Sequence, residues 1–410
     1  MITKDLHVHL HGCLTAEQLW NIGKDTYKNR TPMLEWYASE YEKAWGRKPK
    51  YLDYWESDNG FELLKNDYLF KDQNSFDKFQ ANFNLIIALC NITSNDFFVQ
   101  EQIIKDVKES KLEYFEARTL IPFRFDAKES YEYLKGLCKS IKQLNAEGGL
   151  TTKLVFSLFR DNDLAKKHYD WIRSFMNMHK DLGEEIVGVD FAYKEEGSPP
   201  KSKIDLFKQF HEDNRKYRKL PLLYHVGESF EDKGIISAIR WIIEAHELRV
   251  DRLGHAIALG VNPENYEGKV IFETVEERSD TLNWMINNRD LLNSHGFKYD
   301  FKKTLNELDE IRSGKNRIRI QYDSEYIKEA KSFQKAAFSL LRTHETKVTI
   351  ETCPTSNLRI GQINSLKYHP IINFNKEKIN FVVGTDDPGI FDIDWSSEYK
   401  FANELLQKYD

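Results

Sequence analysis

Eight short apolar runs, separated by stretches with helical patterns, constrain the fold of this chain more than any other feature. The runs cover residues 5–10, 112–118, 153–159, 186–191, 220–226, 250–256, 347–352 and 379–384. Helix-like stretches between them include residues 128–146, 162–180, 202–218 and 233–247. Strand and helix alternating eight times is typical of a parallel (β/α)8 TIM barrel, and we predict this α/β fold. A doubly wound parallel sheet is the alternative.

Two long segments do not fit a minimal barrel, and we interpret both as helical insertions in a single domain spanning residues 1–410. Residues 26–80, after strand 1, are rich in Tyr, Trp, Lys and Glu and show no strand pattern. We expect helices or loops that cover the end of the first strand. Residues 260–345 lie between strands 6 and 7. We predict helices over 270–292, 300–312 and 324–343 in this second insertion. Upstream of it, we predict a helix over 83–111.

Composition and charge limit the partners of the protein. The formal net charge of -6 argues against a general nucleic-acid binder and is compatible with a small-molecule substrate. The four cysteines are scattered without CxxC pairing, as expected in a reducing compartment. We find neither a signal peptide nor a long apolar run, so we predict a cytosolic protein without membrane contact. The insertions offer surface through which a homo-oligomer could form.

Histidine and aspartate residues stand where predicted strands end. His7 and His9 alternate along the first strand and therefore point to the same face of it. His225 lies near the end of the fifth run, and Asp386 follows the last run. Because the carboxyl ends of parallel strands meet at one mouth of a barrel, these four side chains would form a mononuclear metal site. Such a site would keep an open position for water, as catalytic zinc sites do.

Two further polar residues, Glu228 and His255, belong to the same predicted mouth. Glu228 follows His225 by three residues, and His255 lies near the end of the sixth run. Each of these residues also has a plain structural explanation. Either histidine could be a core residue, Glu228 a solvated loop acid, and the Asp-Asp-Pro sequence at 386–388 a turn. Their joint placement at strand ends favours an active site.

Five short motifs occur in the order found in one known family. They are HVHLHG at 7–12, HVGE at 225–228, DRLGHA at 251–256, CPTSN at 353–357 and GTDDP at 384–388. This set resembles the adenosine deaminase family of metal-dependent, amidohydrolase-like barrels. The resemblance runs from the first predicted strand to the last, and both predicted insertions fall largely outside it. The HxE and PCxxC motifs of the other zinc deaminase class are absent.

The resemblance implies one zinc ion per chain. His7, His9, His225 and Asp386 match the zinc ligands of the family. A bound zinc ion lowers the pKa of water and so makes a nucleophile available near neutral pH. We also count Asp386 among the catalytic residues.

The resemblance assigns the remaining motif residues to proton transfer and purine binding. Glu228 matches the acid that protonates the purine ring nitrogen next to the attacked carbon, and burial would raise its pKa as this role requires. His255 matches the histidine that orients and deprotonates the attacking water. Asp387 matches the carboxylate that binds the far side of the purine. The implied enzyme is a hydrolase that deaminates an adenine compound and releases ammonia.

Two departures from the family pattern bear on the substrate. Adenosine-specific members carry an Asp two residues after the second histidine of HxH, and this chain has His11 there. A carboxylate would repel a 5′-phosphate, whereas a histidine tolerates it or pairs with it. Tyr193 stands where a glycine is usual and would reshape the substrate pocket. Arg160 and Lys194 are candidate phosphate partners, although surface cations are an equally good explanation of both.

These features favour AMP or dAMP as the substrate. The reaction would give IMP or dIMP and would belong to purine nucleotide metabolism. Free adenosine or deoxyadenosine is the alternative substrate. Two other functions stay open: a deaminase subunit of a larger nucleotide-depleting defence assembly, and a barrel that has lost catalysis and only senses nucleotide. The intact Glu228 argues against the sensor, because a sensor does not need the acid.

Overall fold

The computed structural model describes residues 3–71, 75–90, 92–93, 97–108, 111–312, 317–343 and 347–409. The strands in this part of the chain are β1 (Lys4–His9), β2 (Tyr114–Leu120), β3 (Thr151–Leu158), β4 (Ile186–Phe191), β5 (Leu223–Val226), β6 (Arg252–His255), β7 (Val270–Thr274), β8 (Arg317–Gln321), β9 (Thr349–Thr352) and β10 (Phe381–Val383).

Helices surround and connect these strands. The α-helices are α1 (Ala16–Thr26), α2 (Thr31–Trp45), α3 (Asp53–Glu56), α4 (Gly60–Tyr68), α5 (Phe76–Leu89), α6 (Phe98–Lys108), α7 (Ala127–Ala146), α8 (Asn162–Met178), α9 (Lys180–Gly183), α10 (Ile204–Lys216), α11 (Ile235–Glu247), α12 (Ile257–Gly260), α13 (Val275–Asn287), α14 (Arg289–Ser294), α15 (Phe301–Arg312), α16 (Ser324–Thr343), α17 (Pro354–Ile360), α18 (Pro370–Lys376), α19 (Pro388–Phe391) and α20 (Trp395–Tyr409). Short 3-10 helices cover His11–Cys13, Tyr27–Arg30, Pro200–Lys203, Pro263–Tyr266 and Leu366–Tyr368.

Eight strands are parallel and form two four-stranded sheets. The first sheet has the order β1-β2-β3-β4, and the second has the order β10-β9-β6-β5. Isolated parallel bridges join Val8 to Asp386 and Val189 to Leu222, and so connect the two sheets at both edges. The parallel strands therefore follow one another in chain order and return to β1. Their carboxyl ends lie on one side of the molecule.

The predicted parallel α/β arrangement agrees with this topology. Each of the eight apolar runs overlaps one of the parallel strands. The runs are apolar on both faces because helices cover the outside of the sheets, as is usual for parallel strands. Helix α1 begins with a capping box: the Thr15 hydroxyl accepts from the Gln18 amide, and the Gln18 side chain accepts from the Thr15 amide.

Two of the predicted helices are wrong in extent. Residues 83–111 do not form one helix: α5 ends at Leu89 and α6 begins at Phe98, with residues 91, 94–96 and 109–110 outside the described part. Residues 270–292 begin with a strand, β7, which pairs antiparallel with β8 more than forty residues later. Thr274 caps α13 by accepting from the Glu277 amide, and this cap separates the strand from the helix.

The segment 26–80 packs against the loops that follow β1 and β10. The Tyr68 hydroxyl donates to the Leu14 carbonyl at 2.5 Å, and the Phe70 amide donates to the Ile390 carbonyl at 2.9 Å. The Phe79 ring stacks on that of Phe391 with centroids 5.6 Å apart. These contacts fix helices α4 and α5 over the loops that follow β1 and β10.

A single large hydrophobic cluster extends from Val8 in β1 to Phe391 in α19 and includes residues of most helices. Helix α13 and helix α15 form a smaller cluster of their own around Leu282, Leu308 and Ile311. In the described part of the chain, no helix combines the length and the apolar composition needed to cross a bilayer.

Candidate metal centre and active site

Four side chains from three strand ends meet at one point. His7 and His9 belong to β1, His225 belongs to β5, and Asp386 follows β10. Each offers one ligand atom, and these atoms lie within 4.8 Å of one another. The Nε2 atoms of His7 and His9 are 3.5 and 3.4 Å from Asp386 Oδ1. The structure therefore brings together the four residues that the sequence predicts as metal ligands.

Backbone pairing holds Asp386 against β1. Its amide donates to the His7 carbonyl at 2.9 Å, and its carbonyl accepts from the His9 amide at 2.7 Å. Asp386 has a φ of 64°, in the left-handed region that an L-residue enters only at a cost. The buried Asp5 carboxylate accepts from the Thr385 hydroxyl at 2.6 Å and from the His7 amide at 3.0 Å. These contacts fix the unusual turn that aims Asp386 at the histidines.

Two buried carboxylates orient the metal-facing histidines. His7 Nδ1 lies 3.0 Å from Glu351 Oε2, and His225 Nδ1 lies 3.0 Å from Asp190 Oδ1. An ionised carboxylate only accepts, so each Nδ1 donates and carries the ring proton. The lone pair of each imidazole is then on Nε2, which is the tautomer that binds a metal.

Two histidine nitrogens without a hydrogen-bond partner in the described part of the chain show whether a metal ion would fit this site. His7 Nε2 and His225 Nε2 are buried and have no hydrogen-bond partner among the described residues. Leaving a buried polar atom without a partner costs roughly 1–3 kcal/mol, so such atoms need an explanation. Three imidazole nitrogens and a carboxylate oxygen are a donor set that suits zinc. A divalent ion would satisfy the unpaired nitrogens, so the residues present fit one.

His255 lies beside this cluster in a strained backbone conformation, with a φ of 59°. Asn357 Nδ2 donates to the Thr352 hydroxyl at 2.9 Å, which leaves Asn357 Oδ1 to accept from His255 Nδ1 at 2.9 Å. His255 Nε2 is therefore an unprotonated acceptor, and it lies 3.9 Å from Asp386 Oδ2 and 3.5 Å from Glu228 Oε1. This geometry suits an acceptor of a proton from water near the metal.

Glu228 is buried at the same mouth, and its loop is held by a second acid. The Glu195 carboxylate accepts from the amides of Gly227, Glu228 and Ser229 at 2.9, 2.8 and 3.3 Å. Burial raises the pKa of Glu228 well above its usual range, and the charges of Asp386 and Glu195 raise this pKa further. Glu228 therefore retains its proton more readily than an ordinary glutamic acid, as a proton donor must.

Asp387 lies very close to Gly12, the residue that follows His11. A Cβ placed on Gly12 would come within 1.8 Å of Asp387 Oδ1, so the 3-10 turn that begins at His11 is in contact with the Asp387 carboxylate. Burial, followed by the charges of Asp386 and Glu228, raises the pKa of Asp387 well above its usual range. Burial lowers the pKa of His11 to about 4, so its imidazole is neutral near pH 7.

Tyr193 has a φ of 83°, which explains why a glycine is usual at this position. The residue is 53% exposed, and its ring lies 6.1 Å, between centroids, from that of Phe159. The Arg160 guanidinium is buried and donates to the Tyr193 carbonyl at 2.9 Å, to the Tyr224 hydroxyl at 3.1 Å and to the His225 carbonyl at 2.7 Å. Arg160 therefore supports the loops around the site, and its predicted contact with substrate stays untested.

Lys194, the other candidate phosphate partner, is half-exposed and already paired. Its ammonium lies 2.9 Å from Asp77 Oδ1 and 2.9 Å from Glu196 Oε2. These two carboxylates neutralise the charge that a phosphate would need. The structure favours the plain explanation of Lys194 as a surface cation.

Sequence reasoning missed the acids behind the histidines and the loop. Glu351 and Asp190 are charged residues inside buried strands, and a charge in such a run is a signal that could have been used. Glu195 stands in a polar loop with other acids, and no local pattern distinguishes it. Its role becomes visible only through the three amides that it binds.

Comparison with known proteins gives partial matches in sequence and a full-length match in fold. The adenosine deaminase family model matches residues 318–409. An aminodeoxyfutalosine deaminase from Acidothermus cellulolyticus is 44% identical over 61 residues, which are 15% of this chain and 17% of that protein. The aligned part of the chain thus spans about a sixth of the length of this curated relative.

The solved structures that resemble the chain cover nearly all of it. An apo N6-methyl-AMP deaminase from Arabidopsis thaliana has a TM-score of 0.54 at 16% identity, covering 99% of this chain and 87% of that chain. An amidohydrolase from Burkholderia ambifaria with bound zinc has a TM-score of 0.55 at 12% identity, covering 99% and 80%. At these identities the likeness concerns the fold. Together with the family model, these comparisons confirm that the chain resembles the adenosine deaminase family.

Proposed function

We propose that the protein is a zinc-dependent aminohydrolase that deaminates an adenine nucleoside or nucleotide. The observation that carries the proposal is the set of unpaired, buried imidazole nitrogens facing Asp386, next to a glutamic acid whose pKa is raised. A metal ligand set, a proton acceptor and a proton donor are then adjacent, which is what hydrolysis of an aromatic amine requires.

We infer that the eight parallel strands form a (β/α)8 barrel. The chain-order succession of strands and the two bridges between the sheets support this interpretation. A barrel explains why His7, His225 and Asp386, which lie far apart in sequence, come together at strand ends. Segments 26–80 and 260–345 would then be insertions in one domain that spans the chain.

The metal site would be held by His7, His9, His225 and Asp386, with one ion per chain. When bound, the ion supplies the Lewis acidity that makes water nucleophilic near neutral pH. The fold of the zinc-bound amidohydrolase described above supports the choice of zinc. The Nδ1 hydrogen bonds of His7 and His225 keep the ligand nitrogens unprotonated and correctly oriented.

The protein side chains would direct the protons of the reaction. His255 Nε2 accepts a proton from water as the water oxygen forms a bond to C6 of the adenine ring. Glu228 gives its proton to the neighbouring ring nitrogen, so that the ring does not accumulate negative charge. His255 then gives its proton to the exocyclic amine, the C6–N bond breaks, and ammonia leaves. The C6 hydroxyl becomes the carbonyl by losing its proton to Glu228, so both side chains return to their starting protonation states. Asp387 binds the far side of the purine in this arrangement.

A 5′-monophosphate, AMP or dAMP, is the favoured substrate. His11 replaces the carboxylate of adenosine-specific relatives, and the structural relative named N6-methyl-AMP deaminase has a monophosphate in its name. One observation favours free adenosine as the second candidate: the half-buried His11 is neutral near pH 7 and brings no positive charge to a phosphate. Tyr193 and Arg160 would contribute to the pocket through their backbone and loop contacts.

Release of ammonia from adenosine, deoxyadenosine, AMP, dAMP and ATP tests the proposal. We expect turnover of at least one of them by the zinc-loaded protein. The His225→Ala variant should lose both metal, measured by elemental analysis, and activity, while its circular dichroism spectrum stays unchanged. Full metal occupancy in this variant would contradict the proposed site, and no ammonia from any adenine compound would contradict the proposed reaction.

A further inference from the structure

Behind the candidate metal ligands lies one fully buried arginine, Arg118 of β2. One terminal nitrogen of its guanidinium donates to Asp190 Oδ2 at 2.9 Å, and the other donates to Glu351 Oε2. These are the two carboxylates that accept from the Nδ1 atoms of His225 and His7. A single planar group therefore joins the supports of two metal ligands that come from different strands.

The guanidinium geometry suits this task better than any other side chain. Its donors form a rigid fork, so the two carboxylates are held at a fixed separation and in a fixed plane. Each carboxylate in turn fixes the ring orientation of one imidazole. Because Arg118 and both carboxylates are buried, water does not compete for these bonds.

The two arms of this network differ in strength. Glu351 has a second cation, because Arg252 Nη1 lies 3.1 Å from its Oε1. Within the described residues, the Asp190 carboxylate has no cation other than Arg118 and its histidine at ion-pair distance. Removal of Arg118 would therefore leave Glu351 partly neutralised and Asp190 with His225 as its only partner. His225 should be affected more than His7.

We infer that Arg118 is a positioning residue that couples His7 and His225, so that both present Nε2 to the same divalent ion. This inference rests on the proposed metal site, since it concerns how tightly that site holds its ion. Arg118 itself touches neither the ion nor the substrate. Arg252 provides a matched control, because it contacts Glu351 without contacting Asp190.

The experiment compares Arg118→Met, Arg118→Lys and Arg252→Met with the wild-type protein. Each is loaded with zinc, and the rate of zinc transfer to a chromophoric chelator is measured. Loss of a group behind metal ligands typically lowers metal affinity about 10–100-fold, so we expect release from Arg118→Met to be faster by this factor. Arg118→Lys should still release zinc faster than the wild type, because an ammonium group lacks the forked donors of a guanidinium. Arg252→Met should release zinc at a rate close to that of the wild type.

A second readout separates positioning from loss of folding. The cobalt-loaded proteins report ligand geometry through their visible absorption, which we expect to change in Arg118→Lys while the melting temperature of the metal-free protein stays near that of the wild type. If Arg118→Met does not fold, Arg118→Lys and Asp190→Asn decide the question. Asp190→Asn should accelerate release in the wild-type background and add little in the Arg118→Lys background.

Three results would overturn the inference. The first is a wild-type rate of zinc release from those Arg118 and Asp190 variants that fold. The second is an effect of Arg252→Met equal to that of the Arg118 variants, and the third is fully independent effects of Arg118→Lys and Asp190→Asn. A wild-type protein that binds no zinc at His7 and His225 would instead overturn the proposed metal site. The two failures are therefore distinguishable.

Discussion

Substitution of Gly12 by alanine tests whether the Asp387 carboxylate acts on the substrate. The new Cβ would lie 1.8 Å from Asp387 Oδ1, 2.6 Å from its Cγ and 2.9 Å from its Cβ. Ordinary contacts of this kind begin at 3.4 Å, so the oxygen has to move by 3.4 − 1.8 = 1.6 Å. A misplacement of about 1 Å at an active site can cost roughly 10²-fold in rate. We therefore expect a loss of at least about 10²-fold in kcat/KM, with the metal retained.

The assay is ammonia release with adenosine and AMP, accompanied by elemental analysis and thermal unfolding. The overpacking itself should lower the free energy of unfolding by about 1–3 kcal/mol. Gly23→Ala in α1 is the matched control, since its Cβ would lie 1.9 Å from the Trp55 side chain of α3, outside the proposed site. It should reduce stability in a similar way and leave kcat/KM close to the wild type.

A double-mutant cycle then tests the route of the effect. Asp387→Gly removes all three atoms that the new methyl group would meet. In that background, Gly12→Ala should lower kcat/KM only slightly further, because the carboxylate that the new methyl group would displace is already absent. Unchanged kcat/KM in Gly12→Ala, or a full additional 10²-fold loss in the Asp387→Gly background, would refute the reasoning.

Two further predictions concern proton transfer and substrate choice. Glu228→Gln should keep the metal and lower turnover by at least about 10²-fold, and near-normal turnover would exclude the acid role. Because burial raises the pKa of Glu228, the wild-type protein should lose kcat/KM as the pH rises through that raised pKa, and this loss should be absent from the residual activity of Glu228→Gln. His11→Asp should shift the ratio of kcat/KM for AMP over adenosine towards adenosine by at least about 10-fold, because a buried carboxylate beside a phosphate costs several kcal/mol. If the ratio of kcat/KM for AMP over adenosine equals that of the wild type, His11 does not contribute to recognition of the phosphate.

The sequence predicts much of the fold because its signals are local. A buried parallel strand is a short apolar run, and a helix start such as Thr15 has a cap of its own. The missed pairing of β7 with β8 shows the limit of this reasoning. β7 pairs with β8 across three intervening helices, and a run of five residues carries no mark of such a distant partner.

The candidate ligands were also accessible from the sequence, since a histidine or aspartate at the end of an apolar strand is conspicuous there. His7, His9 and Asp386 are of this kind. Their assignment as metal ligands stays a proposal until a metal is measured. What the sequence by itself determined about this protein is therefore the strand succession and the polar residues at the strand ends.

Only the tertiary structure decided what stands behind those residues. Arg118, Asp190 and Glu351 lie in three strands, β2, β4 and β9, that are not neighbours in the sheets. Their bonds exist because the tertiary structure brings these distant strands together. The sequence offered Arg160 as a phosphate partner or as a surface cation, and only the structure shows that it is buried and donates to the carbonyls of Tyr193 and of His225 in β5. The physical reason is common to all of them: local patterns report which residues are buried, whereas the partner of a buried charge depends on how distant segments pack.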